Sequence, residues 1–120
     1  MTVGAFLRYF PDAQGWTAGE DFGSEEEILL RKNCARILHR YLQKVMGEKD
    51  ESVGLPSYEE VRDIYDCRTC APHISQVLAK GIMETFPRGD LQLFEGNREV
   101  LKEEAFLYIS RILHRRQKEI

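Results

Sequence analysis

The sequence predicts a small all-α domain of about four helices, arranged as two related helix–loop–helix units. Three observations indicate this fold: apolar residues recur at three- and four-residue intervals, polar segments with Gly and Pro separate these stretches, and one pentapeptide occurs twice. With 120 residues, 42% of them hydrophobic, the chain can build one core but not two. We therefore expect a single domain over 1–120, in which a loop at 48–56 separates a partial unit (1–47) from a full one (57–120).

The first long helix is predicted from a capping-box pattern, because Ser24 can accept a hydrogen bond from a first-turn amide while Glu27 reaches back. Seven apolar residues then form one face at helical spacing: Leu30, Cys34, Ile37, Leu38, Tyr41, Leu42 and Val45. The preceding segment 4–23 contains Pro and several Gly and is expected to be mostly irregular. We expect Trp16 in this segment to pack over the helices as part of the core.

The second unit is predicted to contain two shorter helices before its last one. The segment 57–60 (Ser-Tyr-Glu-Glu) is another capping box and predicts a short helix that ends near Cys67. A further helix is expected to begin around Pro72, because proline suits the first helical turn, and to end near Gly81. The stretch 86–90 has Pro and Gly in turn order, and 91–94 alternates enough for a short extended piece, but we expect a loop there. The last helix is expected to start at about residue 99.

Charge and hydrophobicity exclude two classes of protein. The net charge of −3 and the pI near 5.6 argue against a nucleic-acid binder, because neutralising phosphates requires a basic surface. No apolar run approaches the roughly 20 residues that a membrane span needs, so none is expected. The N-terminus lacks the basic and apolar stretches of a secretion leader, so we expect either a cytoplasmic protein with Met1 as its native start or a protein whose leader has been removed.

The sequence carries no motif of a known enzyme class. It has no glycine-rich phosphate loop, no Gly-x-Ser-x-Gly elbow and no His-Glu-x-x-His helix. Carboxylates are common on the predicted helix surfaces, but nothing places a pair of them in an apolar pocket, where a raised pKa would make one a proton donor. We therefore expect a protein that is not an enzyme and that needs no cofactor.

The three cysteines leave more than one interpretation open. Their odd number excludes a complete disulfide framework. Cys67 and Cys70 have redox-motif spacing, but the strand that precedes such motifs in thioredoxin-type proteins is not predicted here. Together with His73 they could supply three zinc ligands, although a fourth is missing. The simplest alternative is that both cysteines pack at the start of a helix, and whether they are reduced, bridged or metal-bound stays open. We expect His39 and His114 to be exposed.

An internal repeat links the two units. The pentapeptide Arg-Ile-Leu-His-Arg occurs at 36–40 and again at 111–115. The second unit contains, in order, Asp-Ile at 63–64, Gly-Ile at 81–82, Phe-Pro-Arg-Gly at 86–89 and Val-Leu-Lys-Glu-Glu-Ala at 100–105. With this order and spacing the chain resembles an S-layer homology domain, with one full repeat over 61–113 and a fainter partial repeat over 4–42.

The resemblance implies a non-catalytic module that anchors a protein by binding an acidic cell-wall polysaccharide. At the family's ligand-binding positions this chain has Arg31, Lys102 and Gly81, whereas Thr69 replaces the usual Trp. We therefore expect an anionic cell-wall glycan or another envelope component as the partner. The alternative is an intracellular helical domain that keeps the scaffold and binds a protein or a second copy of itself.

Overall fold

The computed structural model describes residues 1–57 and 59–118, so the predicted roles of Tyr58 and of the last two residues lie outside the described residues. Within these ranges the helices are α1 (Val3–Leu7), α2 (Ala13–Trp16), α3 (Arg31–Lys44), α4 (Ala71–Ala79) and α5 (Lys102–Lys118). A 3₁₀ helix covers Ile64–Asp66, and two short strands are β1 (Phe86–Arg88) and β2 (Leu91–Leu93). The protein is therefore a small mixed α/β domain.

The β1–β2 hairpin makes the all-α prediction wrong, and with it the predicted loop over 86–94. The strands pair antiparallel, with Phe86 opposite Leu93 and Arg88 opposite Leu91. A two-residue connection joins them, and its first residue, Gly89, has φ +62°, which a glycine adopts at little cost. Pro87 has no N–H to donate, but it is tolerated because each strand of a two-stranded sheet is an edge.

Helix α3 starts at Arg31, so the capping box predicted at Ser24 does not begin the helix. The backbone of this stretch instead bonds to distant parts of the chain. The Val3 N–H donates to the Glu27 carbonyl, the Leu29 N–H donates to the Met1 carbonyl, and the Leu29 carbonyl accepts from Val100, each at 2.9 Å. Residues 24–27 form a turn, in which the Glu27 N–H donates to the Ser24 carbonyl at 3.1 Å, and Ile28 and Leu30 make β-bridges. A local sequence pattern does not reveal these tertiary hydrogen bonds.

The second capping box forms, but no α-helix follows it. Ser57 and Glu60 exchange backbone-to-side-chain hydrogen bonds of 3.2 Å in both directions. The chain then turns into the 3₁₀ helix, because the Arg62 N–H donates to the Gln92 carbonyl of the hairpin instead of continuing a helical ladder. The third predicted helix is confirmed: α4 has Pro72 in its first turn, and Gly81 after its end has φ +72°.

The core lies between α3, α4, α5 and the N-terminal segment. The apolar stripe of α3 is buried from Cys34 to Leu42, and the expected burial of Trp16 is confirmed, since only 7% of it is exposed. His39, in contrast, is buried at 3% exposure, so its predicted exposure is wrong. In the described ranges no helix is long and apolar enough to cross a membrane.

A buried ionic cluster ties the ends of the three longer helices together. The Glu48 carboxylate, just after α3, accepts hydrogen bonds from Lys80 Nζ at 3.0 Å and from Arg115 Nε at 3.0 Å. Lys80 follows α4 and Arg115 belongs to α5, so one carboxylate connects all three elements. Hydrogen bonding to Arg115, which outweighs the cost of burial, lowers the pKa of Glu48.

Candidate functional site

Arg31, a predicted ligand-binding residue, lies in the core instead of on the surface. It is 0% exposed, and all parts of its guanidinium group have protein partners. Nε donates to the Phe94 carbonyl at 2.9 Å, Nη1 to the Tyr108 hydroxyl at 2.7 Å and Nη2 to the Glu84 carbonyl at 2.6 Å. The expected surface position of Arg31 is therefore wrong, and its side chain has no exposed donor to offer a ligand.

The surroundings of Arg31 explain how a cation is accommodated there. Its guanidinium carbon lies 4.5 Å from the centroid of the Phe86 ring and 4.6 Å from that of Phe94, so two aromatic faces replace part of its hydration. Burial raises the pKa of the Tyr108 hydroxyl, which accepts from Arg31, to about 12. Arg31 thus joins α3, the hairpin region and α5, which is a structural role.

The other two predicted binding residues lie apart from Arg31. Lys102 is exposed at the start of α5, where its Nζ is 5.8 Å from the centroid of the Phe106 ring. Gly81 lines a shallow depression together with Arg111 and Arg115. The structure therefore does not bring the three predicted residues together around one cleft, and their assignment as ligand-binding residues stays a prediction.

A different cleft lies where the start of α3 meets the 3₁₀ helix and the loop that follows β2. It has a volume of about 240 Å³. Its polar and reactive lining residues are Lys32, Asp63, Asp66, Cys67, Glu95, Asn97 and Arg98. We call it the Lys32–Arg98 cleft, and it is the candidate site because it joins cations, carboxylates and a cysteine on three separate segments.

The loop after β2 is held in a specific shape at this cleft. The Asp63 carboxylate accepts from the backbone N–H groups of Phe94 and Glu95, each at 2.8 Å. Glu95 has φ +57°, a left-handed conformation that costs a non-glycine residue roughly 1 kcal/mol. The Gly96 carbonyl accepts from the Lys32 N–H at 2.9 Å, and a Cβ on Gly96 would lie 3.2 Å from Lys32 Cβ. Such strain, fixed by surrounding bonds, is typical of functional sites.

Only some of the charged side chains of the cleft bind other groups of the protein. Asp63 holds the loop, and the Glu95 carboxylate binds the Arg88 guanidinium at 2.7 and 3.1 Å. Lys32 and Arg98, in contrast, make no ion pair with any residue of 1–57 or 59–118. The Arg98 guanidinium stacks on Phe86, at 4.6 Å from the ring centroid, which fixes its position while leaving its N–H groups available. The cleft therefore offers two cations to a ligand.

The three residues of the possible zinc site do not converge. Cys67 and Cys70 form a disulfide, and His73 turns to His39, with their Nδ1 atoms 2.8 Å apart. His39 Nε2 lies 2.7 Å from the Asp50 carboxylate, which ties both rings to the loop after α3. Burial, followed by the charge on His39, lowers the pKa of His73 to about 4. Among the described residues no group of three His, Cys, Asp or Glu side chains is placed to hold a metal ion.

Comparison of the chain with protein-family models, with curated proteins and with solved structures finds no match. The likeness to S-layer homology domains therefore stays a prediction from residues 61–113 and 4–42. Sequence reasoning missed the Lys32–Arg98 cleft because its residues come from segments with no common periodicity. The Gly-Asn-Arg run at 96–98 was a usable signal, since Gly and Asn favour tight loops.

Proposed function

We propose that this protein is a binding module that holds a single acidic sugar unit of a larger saccharide in the Lys32–Arg98 cleft. The observation that carries the proposal is the pair of cations without an ion-pair partner among the described residues, at one opening. A carboxylate or phosphate on the ligand satisfies both of them. The proposal keeps the predicted ligand class and moves the site away from Arg31, Lys102 and Gly81.

The polar groups beside the two cations favour a sugar over a simple anion. Asp66 accepts hydrogen bonds from hydroxyl groups, and the Asn97 amide both donates and accepts. A sulfate ion uses the cations but has no hydroxyl group to donate to Asp66. The volume of about 240 Å³ lies below the roughly 300 Å³ at which pockets for whole drug-sized ligands begin, so the cleft suits one unit of a chain.

Replacing both cations tests the site. We expect Lys32→Gln combined with Arg98→Gln to weaken binding of trigalacturonate about tenfold or more, because each charge-assisted hydrogen bond is lost. Titration calorimetry with trigalacturonate, a phosphorylated maltotriose and neutral maltotriose measures the dissociation constants and separates a carboxylate ligand from a phosphate ligand. Binding by the unmodified protein is expected to weaken as salt is raised, because the contacts are ionic.

The matched control removes two positive charges outside the cleft. Lys102→Gln combined with Arg8→Gln changes the net charge equally, and both residues are exposed. We expect this variant to bind like the unmodified protein. If only the control variant lost binding, the site would lie on the α1–α5 face instead of in the cleft. If the unmodified protein and both variants bound neutral maltotriose as tightly as trigalacturonate, the proposal would be overturned.

A second candidate function, self-association, is favoured by an apolar patch between α5 and the turn that follows α1. Tyr9 and Phe106 are each 44% exposed and form an edge-to-face ring pair with centroids 5.3 Å apart. Lys102 lies beside them, and the acidic segment 24–27 is exposed next to α1, so two copies could pair the patch with opposite charges. Sedimentation velocity over a concentration series would show a reversible dimer that Phe106→Ser disrupts. A monomer at all concentrations would exclude this function.

A further inference from the structure

The Cys67–Cys70 disulfide opens directly on the Lys32–Arg98 cleft. Cys67 is one of the residues that line it, and the bridge closes a loop of sequence separation three immediately before α4. A bridge between such close residues adds little stability, because the loop it closes in the unfolded chain is very short. The position of this disulfide is therefore poorly explained by a purely structural role.

The two sulfur atoms differ in access to a partner. Cys70 is 1% exposed and belongs to the core, whereas Cys67 is partly exposed at the cleft. An incoming thiolate can therefore reach the Cys67 sulfur and not that of Cys70. This difference specifies which sulfur is attacked and which one leaves, as disulfide exchange requires a nucleophile to approach one sulfur of the bond.

Each of the two cysteines has one neighbouring group that can stabilise a thiolate. Cys70 is the N-cap residue of α4, and its side chain makes no capping hydrogen bond while it is in the disulfide. The positive end of a helix stabilises a thiolate at this position. The Thr69 hydroxyl lies 3.5 Å from the Cys67 sulfur, in position to donate a hydrogen bond to a thiolate there.

We propose that Cys67 and Cys70 form a thiol–disulfide exchange site that oxidises a dithiol peptide or protein segment docked at the cleft. A substrate thiolate attacks the Cys67 sulfur, an S–S bond forms between them, and the Cys67–Cys70 bond breaks with Cys70 leaving as the thiolate. The second substrate thiol loses its proton and attacks the substrate sulfur of this mixed disulfide, which releases Cys67. The substrate loses two electrons and becomes a disulfide, and the cysteine pair gains both.

The third cysteine provides an internal comparison. Cys34 is 0% exposed in the core, and burial raises the pKa of its thiol. It is therefore expected to stay unreactive in the folded protein. Replacing it by Ser gives a background in which every reaction of a thiol reports on Cys67 or Cys70.

The experiment uses the oxidised Cys34→Ser protein and a peptide with two reduced cysteines whose fluorescence is quenched when they pair. We expect one equivalent of peptide to be oxidised on the order of tenfold faster than by the same concentration of glutathione disulfide. In the same background, Cys67→Ser and Cys70→Ser are each expected to abolish oxidation of the peptide, because neither variant can form the disulfide. After activation of Cys67 with a thionitrobenzoate group, Cys70→Ser is expected to trap a version of the peptide with a single cysteine as a stable mixed disulfide, because no second thiol is present to release Cys67.

Three outcomes would overturn the proposal. The first is peptide oxidation no faster than by glutathione disulfide, and the second is a disulfide that exchanges only after the protein is unfolded in urea. The third is a Cys67→Ser variant, activated at Cys70, that traps as much peptide as Cys70→Ser does. Circular dichroism of each variant checks that it is folded. The two proposals share the cleft but have separate readouts, because calorimetry measures trigalacturonate binding by the Cys34→Ser protein and fluorescence measures peptide oxidation, so either proposal can fail while the other holds. The expectation of a protein without catalytic activity is tested by the same measurement.

Discussion

Replacing Arg31 by Met is expected to lower the free energy of unfolding by roughly 3–5 kcal/mol. The change removes three hydrogen bonds and leaves the carbonyl groups of Phe94 and Glu84 without their donor in a region where water does not reach Arg31. It also removes the cation between two aromatic faces, whereas the similar length of Met limits the cavity. The loss is a large fraction of the stability of a small domain.

Urea unfolding followed by circular dichroism measures this effect. Lys32→Met is the matched control, because it removes the same charge one residue along α3 from a side chain that makes no ion pair among the described residues. We expect it to change stability by less than about 0.5 kcal/mol. Arg31→Lys should fall in between, since Lys keeps the charge but cannot reach three acceptors in a planar arrangement. Equal midpoints for Arg31→Met and Lys32→Met would contradict the structural role of Arg31.

Replacing Glu48 by Gln is expected to destabilise the protein by about 3 kcal/mol at pH 7, the second largest effect. The change leaves the ammonium group of Lys80 buried without the carboxylate that neutralises it, since its remaining ion pair, with Glu51, is longer at 3.6 Å and the Lys49 carbonyl that it also contacts carries no full charge. Arg115 loses the same partner. The three elements then lose the one carboxylate that all of them share.

The effect of Glu48→Gln should depend on pH. The folded protein lowers the pKa of Glu48 below its ordinary value of 4.5, so this carboxylate stabilises the fold fully above that value. Its contribution is lost as pH falls through the lowered folded pKa, because the group then becomes protonated in the folded state too. We therefore expect the difference in stability between the two proteins to be largest near pH 7 and to shrink below pH 4.5.

Urea titrations at pH 7 and pH 3 compare the two proteins, with Glu103→Gln as the control. Glu103 is exposed in the first turn of α5, and its replacement is expected to change stability by less than about 0.5 kcal/mol at either pH. A stability difference for Glu48→Gln that is the same at both values would show that the ionised carboxylate is not what stabilises the cluster.

The helical elements were predictable where one face of the helix carries the apolar residues. The stripe from Cys34 to Leu42 identifies α3, and Pro72 and Gly81 bracket α4, because periodicity and caps are local properties of the chain. The hairpin was missed because its strands are three residues long, so the alternation at 91–94 was too brief to outweigh the Pro and Gly that favour a loop. The helix start predicted at Ser24 is wrong because Leu29 exchanges backbone hydrogen bonds with Met1 and Val100, which hold the chain outside a helix before Arg31.

The candidate site was less predictable than the helices. Arg31 and Lys32 are adjacent basic residues, and the sequence gives no sign that one is fully buried while the other faces a cleft. Burial of Arg31 depends on acceptors supplied by Glu84, Phe94 and Tyr108, which only the fold brings near. The spacing of Cys67 and Cys70 was visible, but not their position at a cleft.

The first turn of α3 has a consequence for how this chain folds. The amide groups that begin the helix donate to the carbonyls of Arg98 and Gly96, and the Arg31 side chain reaches Phe94, 63 positions further along the sequence. Local contacts therefore cannot complete this turn. Closing so long a loop costs conformational entropy before its contacts form. We therefore expect docking of the loop at residues 94–98 to be a late, rate-limiting step of folding. This step completes the first turn of α3 and the cleft together.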